Sequence, residues 1–307
     1  MLKVAVGVIT NQLGEVLISK RAAHAHQGGL WEFPGGKLEP EESGYEALKR
    51  ELFEELNISI SSAKPLVEIH HQYEDLSVHL DVYTVDNFQG EARGMENQAL
   101  KWVTVAELKN YSFPTANKRI IETLHLPHFY PIVDESIGGS STMLAHLDDL
   151  IARGYTMIQW RAHSLNVEDY TSLAKRAMQL CEKTGVRLFL NTDIDLAIEL
   201  NAQGVHLSAH HLDTPCQQVP DSIQLAVSCH TLKELERAHD MGALFALLSP
   251  VCETKSHPDE KPLGWGGLAK LAGLSAIPVY ALGGVGPEDI KLALLNGAQG
   301  ISGIRAF

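Results

Sequence analysis

Three glutamates one helical turn apart are the first residues in this chain whose types and spacing can do chemistry. In Arg50-Glu51-Leu52-Phe53-Glu54-Glu55-Leu56, the positions of Glu51, Glu54 and Glu55 are i, i+3 and i+4, so a helix presents their carboxylates on one face. Leu48, Leu52 and Leu56 at i, i+4 and i+8 give the same helix a neighbouring apolar face. Like charges at these spacings repel by roughly 0.2–0.5 kcal/mol per pair. A solvated acidic face is one reading of such a pattern. The other is a hard cation such as Mg2+, which takes oxygen ligands and keeps coordination positions for phosphate oxygens and water.

The elements that must position these carboxylates are also legible. Gly35 and Gly36 form a turn ahead of the helix, and Ser43 followed by Glu46 reads as a capping box that starts it. Strands are predicted near 3 to 9, 15 to 20, 64 to 73 and 78 to 86, with short helices after Thr104 and after Pro114. From Phe129 the rhythm changes to short apolar runs at 129 to 134, 156 to 161, 186 to 191, 204 to 208, 223 to 228, 244 to 249, 277 to 282 and 300 to 304. Each run but the last precedes a helix-like segment, the pattern of a (β/α)8 barrel. Phe307 follows the last run too closely for a closing helix, which leaves the barrel open there or covered by another surface.

With 307 residues the chain suits two domains, 1–128 and 129–307, separated at Leu126-Pro127-His128 without a long linker. A net charge of -13 argues against nucleic-acid or anionic-membrane binding, so an anionic small substrate needs a metal. The opening run from Met1 to Ile9 is too short for a signal peptide, and no stretch spans a membrane; a soluble, cytoplasmic protein is expected. Cys181, Cys216, Cys229 and Cys252 form no C-x-x-C pair and read as reduced thiols. His24, His26, His70, His71 and His79 lack a zinc-protease spacing and read as surface or strand residues, with His26 near the phosphates.

The string from Gly36 to Ile58 resembles the Nudix box, through Gly36, Glu42, Arg50, Glu51, Leu52, Glu54, Glu55 and Ile58. Asn57 stands where the family has glycine, and Asn also tolerates the left-handed C-cap conformation. The resemblance implies Mg2+ ligation, with Mn2+ as a substitute, by Glu51, Glu54, Glu55, the Gly35 carbonyl and Glu96, while Arg50 pairs with the helix carboxylates. Within the family the chain is similar to the MutT branch, which removes oxidised dGTP before it enters DNA. Ala5 to Ile9, Arg21-Ala22-Ala23, Ala25-His26, Glu32-Phe33-Pro34-Gly35-Gly36-Lys37 and Phe113-Pro114-Thr115-Ala116-Asn117 carry that similarity. It implies a substrate site from Arg21, Phe33, Gly35, Gly36, Lys37 and Asn117, with Asn117 on the oxidised guanine and Arg21 on phosphate. An Asn amide fits O6 together with a protonated N7 and mismatches normal guanine, which shows acceptors at both positions.

Phe129 to Ile304 resembles the thiamine-phosphate synthase and TenI family through Gln159-Trp160-Arg161, Leu190-Asn191, Asp195-Leu196-Ala197, Gly204 to Leu207, Ser228-Cys229-His230 and Gly283-Gly284-Val285. This implies a barrel site from Gln159, Arg161, Asn191, His230, Gly283, Gly284 and Ser302 that takes a small phosphorylated ligand. Thr192 and His211 stand at the positions of the synthases' magnesium aspartates, and His163 and His257 at those of their lysines, which argues against synthase activity. The expectation is an α+β Nudix fold followed by a (β/α)8 barrel lacking its last helix, hydrolysing 8-oxo-dGTP to the monophosphate and pyrophosphate. The alternative is a hydrolase of thiamine-related pyrophosphates whose barrel is a thiazole tautomerase or a ligand sensor.

Overall fold

A computed structural model describes residues 1–22, 27–74, 76–213, 219–254 and 261–307. His24, His26, Cys216 and His257 fall outside the described residues, as do Ala23 and Ala25. The chain divides into two compact units, Met1–His125 and Leu126–Phe307. Leu126-Pro127-His128 bonds into the second unit: Gln299 Nε2 donates to the Leu126 carbonyl, Tyr280 Oη to that of Pro127, and the Ile301 amide to that of His128.

In the first unit, β1 (Leu2–Ile9) is an apolar run that lies parallel to a later strand and is buried along most of its length. β2 (Val16–Lys20) and the short β3 (Trp31–Glu32), β4 (Gly35–Lys37) and β5 (Ser59–Ile60) follow, with α1 (Gly44–Leu56) between the last two. β6 (Lys64–Gln72) and β7 (Ser77–Val85) form an antiparallel pair with an irregularity between Pro65 and Val67, and β8 (Phe88–Gln89) and β9 (Leu100–Val103) complete the set. Among the described residues three sheets result, ordered β4-β1-β7-β6, β3-β2-β9 and β5-β8. Alternate strand residues feed two cores. Ala5, Ile9, Leu17 and Val85 pack with Ala47, Leu48, Leu52 and Leu56 of α1, while Val6, Val8, Ile18, Val67, Leu80 and Val82 pack with Ile120 of α2 (Asn117–Leu124). The short helix expected after Thr104 is a 3-10 turn, Val105–Asn110.

In the second unit eight parallel strands close into a barrel: β10 (Phe129–Asp134), β11 (Met157–Arg161), β12 (Arg187–Leu190), β13 (Gly204–Leu207), β14 (Gln224–Cys229), β15 (Phe245–Leu248), β16 (Val279–Ala281) and β17 (Gly300–Gly303). The interior is plugged by Tyr130, Phe189, Phe245 and Tyr280, whose rings meet edge-on or tilted at 5.0–5.9 Å. Outside lie α3 (Ser140–Ala152), α4 (Val167–Thr184), α5 (Ile194–Glu199), α6 (Leu232–Asp240), α7 (Gly264–Ala272) and α8 (Ile290–Leu295). After β13 the described residues hold a 3-10 turn, Ala209–Asp213, where the rhythm had suggested a helix. No helix follows β17, yet the barrel is not open there: β17 pairs with β10, and Phe307 packs edge-on against Phe129 and Tyr155. Cys181 and Cys229 are buried and Cys252 partly so, all as free thiols. Among the described residues no helix is long and apolar enough to cross a membrane.

Candidate active site

The carboxylate helix is held at both ends by groups that satisfy its orphan backbone atoms. At its start Ser43 accepts from the Glu46 amide while Glu46 Oε2 accepts from the Ser43 amide at 2.9 Å, the reciprocal pair expected of a capping box. At its end Asn57 adopts the left-handed conformation (φ 56°) and returns its amide to the Leu52 and Phe53 carbonyls. The last-turn carbonyls then recruit a distant loop. Glu55 O accepts from the Met95 amide at 2.9 Å and from Gln98 Nε2 at 3.0 Å, and Leu56 O accepts from the Arg93 amide at 3.0 Å. Gln98 Oε1 in turn accepts from the Glu96 amide at 2.8 Å, so this one amide side chain ties Glu96 to the end of α1. Sequence reasoning named Glu96 but missed Gln98, which belongs to no motif.

Arg50 organises the front of the site. Its guanidinium donates to both oxygens of Glu42 (2.9 and 2.8 Å), to Glu51 Oε1 (2.8 Å), to Glu54 Oε2 (3.4 Å) and to the Lys37 carbonyl (3.0 Å). The bidentate pair with Glu42 fixes the plane of the fork, and the remaining donors orient Glu51 against β4. A glycine is required where they meet, because a Cβ on Gly36 would overlap the Glu51 carboxylate. Gly35 holds a φ of 149° beside the Ala5 backbone, a position closed to a side chain. Lys37 itself is exposed, and its carbonyl is the group engaged.

Behind this front lies a cavity of about 490 Å³ lined by Ser19, Lys20, Arg21, Glu32, Glu55, Glu96 and Gln98 among others. Arg21 pairs with Glu32 at its wall. Burial pushes the Glu55 carboxyl up to about 8, reinforced by the negative charges of Glu51, Glu32 and Glu96 and only partly relieved by Arg21. Burial likewise raises Glu32 against the pull of Arg21. Glu32 was not among the expected ligands; its position opposite Arg21 shows only in three dimensions. Glu54 points largely to solvent, with its side chain 59% exposed. Among the described residues the group of potential metal ligands whose atoms lie within 4.8 Å of one another is elsewhere, at Glu68, His70 and His79.

The donor set suits a hard divalent cation. Glu51, Glu55 and Glu96 offer oxygen ligands, and at Glu55, where burial and neighbouring negative charge penalise ionisation, bound positive charge would relieve that penalty. The Gly35 carbonyl lies on the adjoining strand, paired through Val6.

Asn117 and Phe33 sit on the other core. Phe33 is buried and stacks on Phe113 with ring centroids 5.6 Å apart. Asn117 is 8% exposed, its main-chain amide donates to the Pro114 carbonyl, and its side-chain Oδ1 is buried with no hydrogen-bond partner. The preceding Ala116 amide donates to Tyr73 Oη at 3.3 Å, a tether that no sequence motif signals.

In the barrel the expected residues divide. Gln159 is buried with Oε1 unpartnered, Asn191 donates to the His206 carbonyl at 2.7 Å, and Arg161 pairs with Asp134 at 2.5 Å and donates to His163 Nε2 at 3.0 Å. Ser302 is fully buried, and its hydroxyl donates to the Tyr130 carbonyl at 2.7 Å. His230 is exposed, and its Nδ1 donates to the Ser249 carbonyl at 2.7 Å. Gly283 and Gly284 both have positive φ in the loop after β16. His206, which sequence reasoning passed over, is buried between Tyr130 Oη and Ser228 Oγ and lowered to about 3 by desolvation and by Arg161, so it is neutral. His163 is lowered first by burial and then by Arg161, and His211 first by burial and then by His210. Thr192 is half-buried.

Comparison with known proteins bears on both units. Residues 129–307 match the family model described as thiamine monophosphate synthase, and residues 5–123 match the NUDIX domain model. The 8-oxo-dGTP diphosphatase of Escherichia coli (strain K12) is 36% identical over 123 residues, 40% of this chain and 95% of that protein. The CTP pyrophosphohydrolase of the same organism is 35% identical over 122 residues, 40% of this chain and 90% of that protein. A thiamine-phosphate synthase of Clostridium novyi (strain NT) is 30% identical over 181 residues, 58% of this chain and 89% of that protein.

Gly36→Ala tests the front of the site. The added methyl should displace the Glu51 carboxylate and weaken Mn2+ binding, followed by electron paramagnetic resonance, by about tenfold or more, with the thermal melt little changed. Unchanged Mn2+ affinity would place Glu51 outside the cation site.

Proposed function

We propose a function for a chain that belongs to two families, the Nudix hydrolases through its N-terminal unit and the thiamine monophosphate synthases through its C-terminal unit. The N-terminal unit is read as a Mg2+-dependent pyrophosphohydrolase of nucleoside triphosphates, with 8-oxo-dGTP as the favoured substrate. Glu51, Glu54, Glu55, Glu96 and the Gly35 carbonyl would hold Mg2+, or Mn2+ in its place. When bound, the ion would neutralise the triphosphate and make water a better nucleophile.

The chain's own residues do the rest. Arg50 keeps Glu51 seated against Gly36, and Gln98 keeps Glu96 against the end of α1. Arg21 offers a guanidinium to phosphate oxygens from the cavity wall, steadied by Glu32. Water adds to one phosphorus of the α–β phosphoanhydride as that bridge breaks, giving a nucleoside monophosphate and pyrophosphate.

The observation that carries the choice of base is Asn117 Oδ1, buried and unpartnered. A buried acceptor without a donor costs about 1–3 kcal/mol unless a ligand supplies one. The N7–H of 8-oxoguanine supplies it, and the same amide's nitrogen can donate to O6. Normal guanine has an acceptor at N7 and leaves Oδ1 facing a lone pair. Phe33 and Phe113 give the segment an apolar aromatic wall. The similarity to a CTP pyrophosphohydrolase makes cytosine the competing base. Asn117→Ala should lower kcat/KM for 8-oxo-dGTP on the order of a hundredfold and that for dGTP far less, because only the oxidised base loses matched bonds. Equal losses for both nucleotides would reduce Asn117 to a helix-positioning residue, and no loss for either would overturn the oxidised-purine reading.

The barrel is read as a binder of a small phosphorylated ligand that does not make thiamine phosphate. Thr192 and His211 provide no carboxylate for magnesium, and burial keeps His163 and His211 short of positive charge near neutral pH. The full-length Glu55→Gln protein, which spares diphosphates from the first unit, should form no thiamine phosphate from the aminopyrimidine diphosphate and the thiazole phosphate. Product formation would contradict this reading.

A further inference from the structure

The β6–β7 pair carries a second constellation of donor atoms, none of them from the carboxylate helix. Glu68 and His70 are two residues apart on β6, so their side chains leave the same face. His79 lies directly across from His70 on β7, and Asp81 directly across from Glu68. The intervening Val67, Ile69, Val78 and Leu80 are buried in the core on the other face. The result is a patch of two imidazoles and one carboxylate, with one ligand atom from each of Glu68, His70 and His79 all within 4.8 Å of one another. His79 Nε2 is 3.0 Å from Glu68 Oε2, and the His70 and His79 ring centroids are 4.3 Å apart.

We propose that Glu68, His70 and His79 form a binding site for Zn2+ or a similar borderline divalent cation, separate from the oxygen-only site on α1. The chemistry separates the two ions. Imidazole nitrogens with one carboxylate favour zinc, nickel, copper or cobalt, whereas Mg2+ requires hard oxygen donors. Two donors on a tetrahedral zinc with bonds of 2.0–2.1 Å stand about 3.3 Å apart. The His79–Glu68 separation already approaches that value, and the histidine proton now between them would leave as the ion enters.

The surroundings support a cation as well. Asp81, whose Oδ2 accepts from Tyr83 Oη at 2.6 Å, adds negative charge beside Glu68, and Lys3, opposite His79 on β1, opposes it. Three protein ligands leave a fourth position for water. Such a bond links the edge strand β6 to β7, the pair whose connecting loop begins at Tyr73, the residue that tethers the Ala116 amide. The inference stands on these side chains alone and does not depend on the identity of the nucleotide.

The test titrates the metal-stripped full-length protein with Zn2+ in saturating Mg2+, by calorimetry, with Co2+ replacing Zn2+ to report tetrahedral coordination in its visible bands. One Zn2+ equivalent is expected, raising the melting temperature. His70→Ala and His79→Ala should each weaken it on the order of a hundredfold, since losing a ligand costs at least what losing its support does. Glu55→Gln should leave it unchanged. If the alanine variant folds poorly, the more conservative His79→Gln, checked by circular dichroism, should show the same loss of affinity. Retention of the equivalent in both histidine variants, or its loss in Glu55→Gln alone, would overturn the proposal.

Discussion

Crowded negative charge is the constraint around which the first unit is built. Burial pushes the Glu55 carboxyl up to about 8, and the negative charges of Glu51, Glu32 and Glu96 add to the shift. Folding would relieve such strain by scattering the carboxylates, and the chain instead commits backbone groups and two arginines to keep them near. Arg50 binds the Glu42 fork on one side and Glu51 on the other; Arg21 answers Glu32; the carbonyls of Glu55 and Leu56 draw in the loop that carries Glu96. Even the glycine turn serves it, since any side chain on Gly36 would occupy the place of the Glu51 carboxylate. An arrangement maintained at that electrostatic cost makes sense when a cation completes it.

The barrel follows the opposite logic. Its interior holds the interlocked rings of Tyr130, Phe189, Phe245 and Tyr280, and His206 joins Tyr130 to Ser228 while its carbonyl accepts from Asn191. The close ion pair at the strand ends, Arg161 with Asp134, is internally balanced. The histidines at these positions are held below their usual range and offer hydrogen bonds in preference to fixed charge. Residues 129–307 belong to the thiamine monophosphate synthase family and close into an eight-stranded barrel; membership in a family does not by itself fix the chemistry of the site.

Much of this was legible in the sequence because it rests on local periodicity. The i, i+3, i+4 glutamates, the Ser43–Glu46 cap, the Asn57 stop and the eight apolar runs are all encoded by neighbours along the chain. What escaped was non-local. The two- to four-residue strands β3, β4, β5, β8 and β9 are too short for a pattern and exist through pairing with distant partners. Glu32, Gln98 and Tyr73 acquire meaning only when the fold brings them to Arg21, Glu55 and Ala116. His70 and His79 read as ordinary strand residues because cross-strand register, invisible to spacing rules, makes them opposite. Glu54, grouped with Glu51 and Glu55 by helical spacing, keeps its side chain 59% exposed and pairs with Arg50 at 3.4 Å.

The central claim is that a crowded carboxylate cluster with Mg2+ and an unpartnered Asn117 carbonyl together select an oxidised purine triphosphate for hydrolysis. The most direct measurement is kcat/KM of the unmodified protein, with and without Mg2+, for 8-oxo-dGTP, dGTP, CTP, ADP-ribose and thiamine pyrophosphate. The account predicts turnover only with the divalent cation and a preference for 8-oxo-dGTP over dGTP on the order of a hundredfold or more. Preference for CTP or thiamine pyrophosphate, or equal turnover without a divalent cation, would contradict it.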